Sequence, residues 1–340
     1  MSASRLTDTC RRRRVTAAAA ITALIAVCAA CSSSDSTPTT TTNARSCRGT
    51  GFTATKNVAY ETMAGVDPNL LSLDYYRPIR AVGCGPAPMV VFVHGGGFAI
   101  GDKANKISDK VKLFTDEGWV FASVNYRLSP SPPNDLAGQI RYPTHEQDVV
   151  TALAWLKSHS APLGGDPDRI LLVGHSSGAF LVSLVSTDSS FLAAAGLSTH
   201  SIPCTAALDT EFEIPKQIDQ GGSQEALYRN AFGNDPATWV KGSPINHTEA
   251  GTLRPEFLIF TQGAPRRTAQ ARAFADALNR GGTAATLVDV SPLAHDEVNE
   301  AVGQPGDTRV TPPLMAFLRS CAGTTAPSSE RTAAGGQPRT

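Results

Sequence analysis

Apolar and polar residues follow one another along this chain in two rhythms. Met89–Val93 is an unbroken apolar run, as expected of a strand buried on both faces. Val120–Val124 and Ile170–Val173 repeat it, and Ala206–Leu208, Phe257–Phe260 and Thr286–Val290 read as further strands. The segments between them have a helical period. Tyr142–His159 carries Val149, Val150, Leu153, Ala154 and Leu156 at helical spacing, and Lys106–Glu117 is amphipathic. Ser177–Ser186 reads as a buried helix, and Gln270–Arg280 and Pro313–Arg319 as two more. Near the start, Val58–Tyr60 and Leu71–Tyr76 flank a turn centred on Asp67-Pro68-Asn69, which predicts a hairpin. Strands alternating with helices predict a mostly parallel sheet with helices on both faces, a three-layer α/β/α sandwich.

The two ends break this pattern. Arg11–Arg14 followed by the apolar region Val15–Val27, 13 residues long, has the layout of an export signal and is short for a membrane span. Val27-Cys28-Ala29-Ala30-Cys31 resembles a bacterial lipobox, with Cys31 as the lipidated residue. Cys28 stands where leucine is usual, so cleavage by the ordinary signal peptidase is the alternative. Residues 32–46 form a Ser/Thr/Pro linker and residues 323–340 a polar tail, leaving 47–322 as one domain.

Charge changes the picture little. The 30 basic and 30 acidic residues balance; losing residues 1–30 removes five arginines and one aspartate and leaves a net charge of −4. No basic patch of the kind that binds nucleic acid is present beyond the signal, and no feature specifies an oligomeric state. A lipid on Cys31 would be the only membrane contact. Of seven cysteines, Cys47, Cys84, Cys204 and Cys321 lie in the domain, and four in an exported chain suggest two disulfides. Cys47 and Cys84 bracket the hairpin; Cys204 opens a strand and Cys321 ends the last helix. This favours the pairs 47–84 and 204–321, with four free thiols as the alternative.

Candidate chemistry is concentrated in two glycine-rich turns. Gly174-His175-Ser176-Ser177-Gly178 is a G-x-S-x-G placed directly between a strand and a helix, the context of a nucleophile elbow, and marks Ser176 as nucleophile. His94-Gly95-Gly96-Gly97-Phe98 follows another strand. The amides of Gly96 and Gly97, with that of Ser177, are the expected oxyanion hole. His94 is expected to brace its loop and His175 to pack the elbow. No cluster has metal-ligand spacing, and no metal or organic cofactor is implied.

These motifs, with Leu71–Pro78, Tyr126-Arg127-Leu128, Tyr142-Pro143, Asp148, Trp155-Leu156 and Gly165-Asp166-Pro167, resemble the carboxylesterase branch of the α/β-hydrolases. The resemblance is to the hormone-sensitive-lipase and bacterial feruloyl-esterase/kynurenine-formamidase groups, and spans about residues 55–320. It implies an α/β-hydrolase fold and acyl transfer, and leaves the substrate open. His295, after the last strand and before the C-terminal helix, sits in a segment resembling the family's histidine loop and is the expected base.

The resemblance breaks at the acid. Relatives place it after the strand preceding the last αβ unit, and here Thr261–Thr268 contains no carboxylate. Three alternatives stand. The acid has moved one strand back, to Glu213 first, because it matches a position where relatives often have Asp, and then to Asp209 or Glu211. Or Asp289, Asp296 or Glu297, near His295, serves. Or a backbone carbonyl or water substitutes and the enzyme is slow or inactive. The expected reaction is cleavage of a small-molecule carboxylic ester through an acyl-enzyme. An arylformamidase-type amide hydrolase, or a catalytically silent binding module on this scaffold, are the rival readings.

Overall fold

The computed structural model describes residues 47–131 and 138–323. The run read as an export signal, Cys31, the linker 32–46 and all but the first residue of the polar tail lie outside the described residues.

Among the described residues, eight strands form one sheet. They are β1 (Phe52–Ala59), β2 (Ser72–Pro78), β3 (Ala87–Val93), β4 (Val120–Val124), β5 (Gly165–His175), β6 (Cys204–Leu208), β7 (Glu256–Thr261) and β8 (Ala285–Asp289). Their order is β1-β2-β4-β3-β5-β6-β7-β8. β1 and β2 form the expected antiparallel hairpin and β2 runs antiparallel to β4; every other pairing is parallel. This is the three-layer α/β-hydrolase architecture.

The side-chain alternation within the apolar runs assigns each layer. On β3, Met89, Val91 and Val93 join a core shared with α2 (Thr144–Ser158) and α4 (Ser177–Thr187), while Val90 and Phe92 join a second core shared with α1 (Ser108–Asp116) and α11 (Thr311–Cys321). A third cluster seats α9 (Pro265–Arg280) on β6 and β7 through Ala271, Phe274 and Leu278. Every residue of α4 is buried, so this helix is apolar all round rather than amphipathic. Cys47 pairs with Cys84 and Cys204 with Cys321, at Cα separations of 5.6 and 6.1 Å.

Six helices went beyond the periodic pattern. They are α3 (Ser160–Leu163), α5 (Ser189–Ala194), α6 (Ile214–Ile218), α7 (Gly222–Phe232), α8 (Pro236–Lys241) and α10 (His295–Glu300). α6 and α7 lie over the end of the sheet that carries the site, with Ile214, Tyr228, Ala231 and Phe232 buried in the core of α2 and α4. Tyr228 and Phe232 meet Phe98 and Phe180 at centroid distances of 5.4 to 5.9 Å, tying this cover to the glycine-rich loop and to α4.

One buried charge site stands out on α2. Glu146 is fully buried, and neither carboxyl oxygen has a hydrogen-bond partner among the described residues. Burial pushes its carboxyl up to about 8. The folded chain then holds a proton that the unfolded chain has released. Stability is full below the ordinary value of 4.5 and falls by up to about 1.4 kcal/mol per pH unit as pH rises towards 8. Glu146→Gln is expected to raise Tm by about 5 °C at pH 8 and to leave it nearly unchanged near pH 4, in thermal melts. A gap of equal size at both pH values would contradict a protonated Glu146.

Candidate active site

The site is built at the carboxyl ends of five neighbouring parallel strands, β3, β5, β6, β7 and β8. β5 and β6 are in register with His175 opposite Leu208, so the next residue of each, Ser176 and Asp209, leave the sheet side by side. The Ser176 amide donates to the Leu208 carbonyl (3.0 Å) and the Asp209 amide to the Phe260 carbonyl (3.1 Å). Both residues have positive φ, 54° for Ser176 and 51° for Asp209. Such backbone costs about 1–3 kcal/mol for a residue with a side chain and persists only where surrounding structure fixes it.

The elbow explains its glycines by contact. A Cβ on Gly178 would lie 2.1 Å from the Val93 carbonyl oxygen, and one on Gly174 would lie 2.4 Å from the Gly178 carbonyl oxygen. The strand–turn–helix joint closes only because both are absent. The first glycine run abuts the nucleophile as well: a Cβ on Gly95 would stand 2.9 Å from Ser176 Cβ.

His295 opens α10 and joins the two strand ends. The Ser176 hydroxyl donates to His295 Nε2 at 2.9 Å, and His295 Nδ1 donates to Asp209 Oδ2 at 2.5 Å. Asp209 fixes the tautomer, since a carboxylate only accepts and the proton therefore sits on Nδ1. Burial alone would raise the Asp209 carboxyl. The His295 hydrogen bond and the Arg267 charge outweigh it and hold the group below the usual carboxylate range. His175 donates from Nε2 to the His295 carbonyl (3.0 Å), and burial, then His295 itself, pushes its ring down to about 4, so it is a neutral prop. His94 bonds the Gly95 carbonyl (2.7 Å) and stacks on Tyr126, bracing its loop as expected.

Glu213 is ranked first from sequence as the acid, but the carboxylate beside His295 is Asp209. Glu213 precedes α6, turned away along the cover, and pairs with Lys216 at 2.6 Å. Glu211 lies between the two and binds Arg267 rather than His295. Asp289 accepts from the Ser291 amide, and Glu297 from the Ala294 amide. Asp296 lines the cleft.

Arg267 is the residue that sequence reasoning missed. It occupies the first turn of α9, in the region where relatives carry the acid. Its Nη1 is 2.6 Å from Asp209 Oδ2 and 2.6 Å from His295 Nδ1, and its Nε and Nη2 donate to Glu211 Oε1 at 3.0 and 2.6 Å. The signal was present: Arg266 and Arg267 place two cations at a helix N-terminus, against the helix dipole, which implies acidic partners.

In front of Ser176 and His295 opens a cleft of about 610 Å³, walled by Gly95–Gly97 and by polar groups such as Asn105, Lys106 and Asn299. That size suits a small organic molecule. His175, His295 and Asp296 bring ligand atoms within 4.8 Å of one another. Both His295 nitrogens are already committed to Ser176 and Asp209, so the cluster offers no free ligand set.

Fold and site together have the architecture of an α/β-hydrolase. The BD-FAE family model matches residues 73–259, more than half of the chain, and the chain belongs to that family. It is 29% identical over 238 residues to esterase LipQ of Mycobacterium tuberculosis, covering 67% of this chain and 53% of LipQ. It therefore spans about half the length of that relative. It is 25% identical over 239 residues to the ethyl acetate hydrolase of Pseudomonas putida, covering 68% of this chain and 72% of that one. Among solved structures, esterase B from Lactobacillus rhamnosis shares the fold, with a TM-score of 0.65 at 22% identity over 81% of this chain and 86% of that one.

Gly178→Ala is expected to destabilise the fold by about 4 kcal/mol or more, because backbone on both sides would have to move. Gly85→Ala, whose Cβ would meet nothing within 4 Å, is expected to melt within about 2 °C of the parent. Equal melting temperatures for the two variants would contradict the close approach at the elbow.

Proposed function

We propose that this protein is a serine hydrolase that cleaves small carboxylic esters through an acyl-enzyme on Ser176. The observation that carries the reading is the unbroken line from Ser176 Oγ through His295 to Asp209, with hydrogen bonds of 2.9 and 2.5 Å. Ser176 attacks the carbonyl while His295 Nε2 takes its proton. Asp209 holds the imidazole in the accepting tautomer and stabilises the cation that forms. The amides of Gly96, Gly97 and Ser177, beside Ser176 and at the start of α4, are the proposed donors to the tetrahedral oxyanion. The alcohol then leaves, protonated by His295, and water attacks the acyl-enzyme by the same route. The names of the relatives, an esterase and an ethyl acetate hydrolase, support an ester over an amide. The binding-module reading rested on a missing acid, and the contact of Asp209 with His295 argues against it.

The test is hydrolysis of p-nitrophenyl acetate, butyrate and octanoate. Activity is expected from the parent and none above background from Ser176→Ala. Asp209→Asn is expected to lower kcat by about 10³–10⁴-fold, as loss of the orienting acid does in serine proteases, while Glu213→Gln stays within about twofold. An inactive parent, or a Glu213→Gln variant as impaired as Asp209→Asn, would overturn the reading.

We also propose that the chain is exported and anchored by a lipid on Cys31. The basic and apolar run before Cys31 supports this, as do two disulfides, which form in oxidising compartments. The mature N-terminal peptide from the membrane fraction is expected to begin at a lipidated Cys31, and Cys31→Ser to release the protein. An unlipidated N-terminus would instead mean plain secretion.

A further inference from the structure

A cation in contact with a triad acid cancels the charge that the imidazolium needs. Here a guanidinium touches the acid. Arg267 Nη1 and His295 Nδ1 point at the same oxygen, Asp209 Oδ2, and stand 2.6 Å from each other. Both carry hydrogens, so that contact is between two donors sharing one acceptor. When His295 accepts the serine proton, the contact becomes cation against cation. Left alone, Arg267 would cancel Asp209 and oppose the proton transfer.

Glu211 removes that obstacle. Its Oε1 takes two hydrogen bonds from the other edge of the guanidinium, and its Oε2 accepts from the hydroxyl of buried Tyr228 at 3.3 Å. Arg267 and Glu211 are only 16% and 14% exposed, so solvent screens the pair weakly. Tyr228 belongs to the aromatic cover formed with Phe98, Phe180 and Phe232, which holds Glu211 in place.

We propose that Arg267 and Glu211 are positioning residues that act as a pair: Arg267 clamps Asp209 in the orientation His295 needs, and Glu211 restores the single net negative charge that the clamp would otherwise cancel. The inference rests on the serine-hydrolase reading above. It counts charges at the ring. Asp209, Glu211 and Arg267 sum to one negative charge facing His295. Without the Glu211 charge the sum is zero; without Arg267 it is two negative charges; without both it is one again. The other groups around the ring stay constant. His175 at the end of β5 is neutral, Lys106 across the cleft is paired with Glu300, Asp102 accepts from Asn69 and Asn125, and Asp296 is unaltered on α10.

The test uses the full chain with Glu211→Gln, Arg267→Gln and the double variant. Two readouts are compared: the acid limb of kcat/KM against pH, and NMR titration of the His295 ring. Glu211→Gln is expected to move the apparent His295 value down by about one pH unit and to lower kcat/KM by roughly tenfold or more. Arg267→Gln is expected to move it up by about one unit, and the double variant to return it to within about 0.3 units of the parent. Arg267→Lys keeps the charge and is expected to hold the parent value while losing turnover to poorer clamping. Singles that shift in the same direction, or not at all, would make the bridge purely structural and overturn the proposal. The NMR titration needs no turnover. An inactive parent whose His295 still shifts in opposite senses would sink the hydrolase reading and leave the charge relation standing.

Discussion

The structure around the site depends on one buried carboxylate. Asp209 has no solvent exposure, and removing a carboxylate from water costs several kcal/mol unless donors replace the water. Three do so. The Gln262 amide takes Oδ1, and Arg267 and His295 share Oδ2. Each comes from a different element: the loop after β7, the first turn of α9, and the start of α10. Satisfying this charge fixes three segments relative to the end of β6, which is also what places the imidazole over Ser176. The parallel register beneath makes this possible. His175, Leu208 and Phe260 form a continuous row across β5, β6 and β7, so whatever follows each strand arrives at the same level.

Around that point the chain accepts local strain and stabilises it by packing. Ser176 holds positive φ at a turn whose glycines leave no room for any other residue. The helix it starts, α4, is buried along its whole length between β5, β6 and α2. A helix that cannot shift keeps the elbow from relaxing. The aromatic cover performs the same service on the other side. Phe98 follows the glycine run, itself at positive φ, and its ring is enclosed by Phe180, Tyr228 and Phe232. The glycine loop, the elbow and the Glu211–Arg267 pair thus share one apolar support.

The repeating parts of this architecture were legible in the sequence. Apolar runs located β3–β8 to within a few residues, and G-x-S-x-G and the loop of His295 located two members of the hydrogen-bonded line, because both depend on local pattern. The choice of acid did not. Asp209, Glu211 and Glu213 lie within five residues, and only strand register distinguishes the one beside Ser176 from the one at the start of α6. A usable clue was that Asp209 directly follows its apolar run, as Ser176 follows its own. Arg267 was passed over for a related reason: the missing carboxylate after β7 drew attention away from the two arginines at a helix start. α6 and α8, of five and six residues, have too few turns to establish a period. α7, of eleven, was passed over because only its last turn is buried, where Tyr228 and Phe232 meet the distant aromatics Phe98 and Phe180.

The most direct measurement of the central claim is labelling with a fluorophosphonate, followed by peptide mass spectrometry. The phosphorus is attacked only by an activated nucleophile and mimics the tetrahedral state. One adduct per chain is expected, on the peptide containing Ser176, and the adduct is expected to disappear in His295→Ala. No adduct on folded protein, or labelling of Ser176 that survives the loss of His295, would contradict a serine activated by the His295–Asp209 pair.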